Sequence, residues 1–388
     1  MQNGQIKKPI LYLLSLRNLS PFPAQGCVLE LEDVFSEVTG AMIISPKTDH
    51  DIVNFRNQAL LQKANLFIPA ISFEEACHIL RKIKSWRNIF GKVFFYIFDA
   101  FLSESEKNKK SNFRKRLSIF TSTISKIDHI FIPIRGEVDE ISIHYNVPVS
   151  YIPMGADVKK FGSSQNNRNI DVNAYGRQNT LHIDILADVY NNKESGRALY
   201  YTSHMSIGKL NNMYQHRAFF WKMLSISRIA LAYDPIRVNP GKRHFPCSFV
   251  GQRWFESLAA GCVVVGYRPD CQEANELLSW EDATIECPDD PVAFVEFIEK
   301  LLCDTERLNR ARLRNYLNML SMHDWSYRIE NIMKIIGSSL DTEKLIQRQE
   351  EMIQLSSEAM KNFGSINKLE KVNKIKYPEL INNSIFFT

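Results

Sequence analysis

Apolar residues along this chain follow two spacings that take turns. Short unbroken runs, Pro9–Leu16, Gly40–Ser45, Leu66–Ile71, Val93–Phe98, His129–Ile134 and Pro148–Ile152, read as strands covered on both faces. Between them, apolar residues three and four apart predict helices. Phe73–Trp86 carries Ala76, Ile79, Leu80 and Ile83 on one side, and Asn112–Lys126 and Glu137–Tyr145 follow the same rule. Strands alternating with helices predict an α/β fold with a parallel, doubly wound sheet. No GxGxxG stands in this half, so nothing in it suggests dinucleotide binding of the Rossmann kind.

The pattern breaks at Phe161–Asn169 (FGSSQNNRN), a polar stretch that reads as a linker. It then resumes with helix Thr180–Tyr190, strand Ala198–Thr202, helix Asn211–Leu224, strand Ile229–Tyr233 and a long loop, Asp234–Ser248. The stretch Phe249–Leu278 is the densest in signal. Trp254–Ala260 is helical and holds an acid, Glu256; Gly261 ends it; Cys262–Val265 is a β-branched buried strand. Strand Thr284–Cys287 and helices Pro291–Leu302, Glu306–Leu320 and Trp325–Ile336 complete the second unit. The expected organisation is a domain over 1–160, a second over 170–330, and C-terminal helices with a polar tail over 331–388. Leu345–Met360 can form a helix, and the tail reads as a partly ordered appendage or coiled contact.

Composition narrows the classes. With 388 residues, 45% of them hydrophobic, two cores are within reach. No uncharged apolar window is long enough to span a bilayer, and the N-terminus lacks a clean secretory leader. Seven cysteines without CxxC pairs fit a reducing cytoplasm better than a disulfide framework or zinc ribbon. The net charge of +5 gives no case for nucleic acid. Lys107, Lys109, Lys110, Arg114, Lys115 and Arg116 precede the apolar face Leu117, Ile119, Phe120 and Ile124. Residues 107–124 therefore carry a weak expectation of peripheral contact with an anionic inner membrane face, against the commoner solvated helix face.

Three pieces, in order, carry a resemblance. Arg253, Phe255, Glu256, Leu258, Ala259, Gly261 and Val263–Val265 resemble the donor-binding segment of GT-B glycosyltransferases with a Glycos_transf_1-like C-terminal domain. Tyr151–Asp157 (YIPMGAD) looks like that family's crossing between domains, and Ile170–Arg177 (IDVNAYGR) like the first strand and turn of its nucleotide-binding domain. The resemblance implies two Rossmann-like domains facing a cleft and a hexosyltransferase-like, metal-independent enzyme without a cofactor. Its donor is a nucleotide diphosphate sugar; its acceptor is a glycan, a lipid-linked sugar or a small molecule. It implies that Glu256 accepts hydrogen bonds from the ribose diol, for which two carboxylate oxygens suit. Arg177 resembles the phosphate-contacting arginine, and with Arg253 it would support the departing diphosphate. The lysine often found five positions on is replaced by His182, for which Lys209, Lys242 or Arg243 are substitutes. Many relatives place a first glutamate where Ser248 stands.

The turn Gly261-Cys262 is a candidate for backbone contact with phosphate. Glu273, near the family's glycine loop, reads as a helix-capping acid. Asp99 and His204, each at or just past a strand's carboxyl end, are the candidate acid/base groups, with His216 and His244 behind them. A DxD does occur, Asp49-His50-Asp51, but it stands outside the segments that carry the resemblance, and no metal site is expected from it. Two rivals stay open: a nucleotide-sugar epimerase of this fold, and a non-catalytic sugar or nucleotide binder.

Overall fold

The computed structural model describes residues 10–364 except 20–21, 61, 63, 103–119, 193, 203–209, 239–245 and 339. The basic run 107–119 lies outside the described residues. Among them no helix is long and apolar enough to cross a membrane.

Two all-parallel sheets organise the chain. The first runs in the order β2 (Met42–Ile44), β1 (Leu11–Leu14), β3 (Asn65–Ala70), β4 (Val93–Ile97), β5 (His129–Ile132), β6 (Val149–Tyr151). The second runs β11 (Ile285–Glu286), β10 (Val263–Tyr267), β9 (Ser227–Tyr233), β7 (Ile170–Tyr175), β8 (Leu199–Thr202). In both, the order reverses beside the first strand, where a crevice opens past the carboxyl ends. The β-branched runs earn their place by two-sided burial. Val263 and Val265 pack under the helices of the second sheet's outer face, while Val264 joins a core that continues into the first domain.

That shared core is built where the chain crosses over. Ala156 pairs in parallel with Asp324, so the two crossings lie side by side. Trp325 then opens the helix Trp325–Ile336, with its indole edge-on to Tyr96 and Phe98 of the first domain. This helix, which the apolar pattern assigns to the second unit, thus returns to the first domain.

The segment read as an appendage is different in kind. Thr342–Gly364 is a 23-residue helix. Leu345, Met352, Ala359 and Phe363 are buried in the shared core. Arg348, 1% exposed, donates to Asp157 Oδ1 at 2.6 Å, Asp324 Oδ2 at 2.8 Å and Glu37 Oε2 at 2.7 Å. One guanidinium thus ties both crossings to a first-domain helix. The apolar residues recur at helical spacing, which is why the helix docks instead of hanging free.

The polar linker holds a second buried arginine. Arg168 donates to the carbonyls of Ser227 at 2.6 Å, Ala260 at 2.8 Å, Ser163 at 3.3 Å and Leu224 at 3.4 Å. Leu224 and Ala260 sit at the carboxyl ends of the helices Met213–Ser225 and Gln252–Ala259, where carbonyls lack intrahelical partners and the dipole favours a cation.

Candidate active site

The ends of β4 and β7 bring two predicted residues together. Asp99 follows β4 and Arg177 follows β7. Asp99 is exposed at its strand end, yet desolvation by the atoms around it pushes its carboxyl up to about 6, with Arg177 drawing it down and Glu75 pushing it up. Desolvation lowers the Arg177 guanidinium, and Asp99 offsets part of that. An acid of the first domain and a cation of the second are therefore near enough to feel each other's charge.

Arg253 lies next to Arg177. It stands in the first turn of the helix Gln252–Ala259 and leans back over β7. Its Nη1 donates to the Arg177 carbonyl at 2.6 Å, and its guanidinium lies 5.5 Å from the Tyr175 ring centre. This approach needs glycine at 176, where φ is +68° and a Cβ would come within 2.5 Å of Arg253 Nη2. Desolvation lowers the Arg253 guanidinium, Tyr175 raises it and the like charge of Arg177 lowers it again. Its Nε is buried without a hydrogen-bond partner. Two adjacent guanidinia, one with a buried donor unspent, fit an oxyanion.

Glu256 follows on the same helix and is 5% exposed. Its Oε1 accepts from Arg217 Nη2 at 2.8 Å and its Oε2 from the Tyr175 hydroxyl at 3.3 Å. Arg217 is bound in turn by Glu30 of the first domain, through Nε at 2.9 Å and Nη2 at 2.5 Å, and Trp221 Nε1 reaches the same Glu30 oxygen at 2.6 Å. Sequence reasoning missed Glu30 and Arg217. Neither sits in a local motif, and 187 residues separate them. Cys27, buried beside them, feels the charges of Glu256, Arg217, Glu30 and Asp99, which gathers the four around one spot. His216, next to Arg217, is held below the usual imidazole range by burial and by that arginine.

Ser248 donates to Asp234 Oδ2 at 2.6 Å. Asp234 ends β9 and is buried, so an acid does stand beside position 248, supplied by the neighbouring strand end. Glu273 stands in the first turn of the helix Gln272–Leu277, where the dipole favours an acid, and its Oε1 also accepts the Arg135 amide of the first domain at 3.1 Å. Next to it, Arg135 pairs with Glu276 at 2.5 Å.

Other candidates are placed elsewhere. Gly261 and Cys262 precede β10 and lie at the amino end of the sheet, opposite the cleft. Gly261, at φ +69°, is pressed under the Ser163 carbonyl, and the buried Cys262 thiol donates to Leu224 O at 3.3 Å. His182 is a core histidine. It stacks on Phe294 with centroids 4.0 Å apart and shares a 3.0 Å hydrogen bond with Tyr233. Burial lowers its pKa. His204, Lys209, Lys242, Arg243 and His244 lie outside the described residues.

Comparison with known proteins bears on the fold and on the second domain. Residues 167–334 match the family model described as glycosyl transferase-like. Among solved structures, HepE of Anabaena, crystallised with UDP and glucose, shares the fold at a TM-score of 0.54 and 10% identity. The alignment covers 85% of this chain and 99% of that one. A glycosyltransferase from Rickettsia africae aligns at a TM-score of 0.49 and 10% identity, over 85% of this chain and 98% of its own. No curated protein matches in sequence. The paired sheets are those of the GT-B fold, and the second domain is glycosyl transferase-like.

Proposed function

We infer that this glycosyltransferase of GT-B fold moves a sugar from a nucleoside diphosphate, held by the second domain, to a hydroxyl acceptor presented by the first. The observation that carries the reading is the pair Arg177 and Arg253 at the end of β7, with Asp99 near enough to feel the Arg177 charge. In this reading the bond between the anomeric carbon and the diphosphate oxygen breaks, and negative charge grows on the leaving group. Fixed guanidinia stabilise that charge without reorganising. The acceptor oxygen forms the new bond and passes its proton to Asp99. Glu256 takes the ribose hydroxyls. The two arginines supply the charge that a metal ion would otherwise bring, so transfer proceeds in EDTA. UDP, which HepE binds, is the first base to try.

The direct test is a thermal-shift panel of UDP-, GDP-, ADP- and CDP-sugars on wild type and on Glu256→Gln. One nucleotide family should raise the melting temperature, by mass action on the folded state, and the variant should lose that shift. Binding without transfer to any acceptor would make the protein a binder instead.

The pH profile tests Asp99. A base works when ionised, and this carboxyl sits at about 6. The transfer rate should be low at acid pH, climb through pH 6 and level off above it. Asp99→Asn should be slow at every pH. A flat wild-type profile between pH 5 and 8 would remove Asp99 from the chemistry.

A further inference from the structure

The acid meant for the ribose is not held by its own domain alone. Glu256 has one oxygen on Tyr175, from the end of β7, and the other on Arg217. Arg217 is not free to take any pose. Two of its nitrogens are spent on Glu30, and Nη2 is shared between Glu30 and Glu256, so the guanidinium plane runs from one carboxylate to the other. Trp221 Nε1 fixes Glu30 from the same helix as Arg217. The Arg217 guanidinium also lies 4.3 Å from the Phe220 ring centre. All three charged groups are 5% exposed or less.

Arg217 reaches Glu30 because residue 26 has no side chain. A Cβ there would stand 2.1 Å from Arg217 Cδ and 2.8 Å from Nε. Gly26 begins the helix that carries Glu30, so the first domain supplies both the opening and the anchor. In a dry site two carboxylates around one guanidinium leave an uncompensated charge. Burial pushes the Glu30 carboxyl up to about 7, Arg217 draws it down, Glu256 pushes it up and Trp221 draws it down. Each Glu256 oxygen is engaged once, by Tyr175 or Arg217, which leaves each a further lone pair for a diol.

We propose that Glu30 is a positioning residue for the donor: through Arg217 it aims the Glu256 carboxylate, so the second domain's ribose site is complete only with the first domain seated against it. This rests on Glu256 as the ribose acid. Donor binding and the seating of the domains are then coupled, and each favours the other.

The test reads the ribose hydroxyl directly. Calorimetry of the full chain gives Kd for UDP and for 2′-deoxy-UDP with wild type, Glu30→Gln and Glu256→Gln, and the GDP and ADP pairs are run alongside. Wild type should prefer the ribo form about tenfold, the scale of one charge-assisted hydrogen bond. Glu30→Gln should shrink that preference to about threefold or less while leaving the deoxy affinity in place. Gly26→Ala, which crowds Arg217 without changing any charge, should shrink it too, and stands in if Glu30→Gln fails to fold. Full preference in both variants, with preference lost in Glu256→Gln, overturns the positioning role and leaves Glu30 as interdomain glue. Full preference in Glu256→Gln, or no binding by any of these nucleotides, removes the ribose assignment itself and the proposal with it.

Discussion

Arg253→Met should lower kcat about 10²–10³-fold, the usual cost of removing one preorganised group from a developing oxyanion, or ~3–4 kcal/mol. The loss should fall on kcat more than on donor KM, because the leaving diphosphate gains charge mainly in the transition state. Arg253→Lys should recover little, since an ammonium cannot reproduce the planar fork. The melting temperature should stay level or rise. Arg253 gives one hydrogen bond to the Arg177 carbonyl, sits beside a second cation and keeps a buried Nε unspent. A group that costs stability where it stands has its use elsewhere. Steady-state kinetics and a melt on the same sample decide it: unchanged kcat, or a fall matched by collapse of the fold, would sink the assignment.

Arg348→Met should cost ~3–5 kcal/mol of stability, the range for removing one partner from a buried ion cluster. Three carboxylates converge on this side chain, and two of them, Asp157 and Asp324, are nearly as buried as Arg348 itself. Asp324 retains Ser326 and the Val158 amide, and Asp157 retains the Lys160 amide, so the charges are not stranded outright. What goes is the cation between them. Asp157→Asn added to Arg348→Met should restore about 1 kcal/mol or more, because it removes one of the crowded charges. Urea unfolding followed by tryptophan fluorescence gives both values, and Trp325 reports on the crossing itself. A loss under about 1 kcal/mol would mean that Thr342–Gly364 is not a structural part of the domain junction.

The strands were legible because two-sided burial writes β-branched and aromatic runs into the sequence. Val93–Ile97 and Val263–Tyr267 fall where those runs stand. Asp99 was legible as a strand-end residue of a parallel sheet, a rule of position that needs no contact map, and Arg177 through its resemblance to a phosphate-contacting arginine. The same rule places Gly261-Cys262 at the far end: a turn that leads from helix into strand precedes the strand, and ligands gather after it. Glu30 and Arg217 were hidden because a pair joining two domains has no spacing to read. His182 was read by its place in a motif, while its ring answers to Phe294 and Tyr233. The helix Thr342–Gly364 was legible over Leu345–Met360, and only its docking was hidden. Its many polar residues suggested a loose tail, whereas its apolar and buried positions keep to one face.

Arg168 has a mechanical consequence. The helices ending near Leu224 and Ala260 carry Arg217 and Glu256, and both are pinned by this one guanidinium at the base. Arg217 stands about seven residues, or ~10 Å, up the first lever, and Glu256 about four residues, or ~6 Å, up the second. A tilt of about 10° at the pin would swing the Arg217 backbone by ~2 Å at that radius, more than a hydrogen bond tolerates. The hinge pin far beneath the cleft thus sets the aperture between two side chains at the top. A linker that looks like slack in the sequence is the part that fixes the angle.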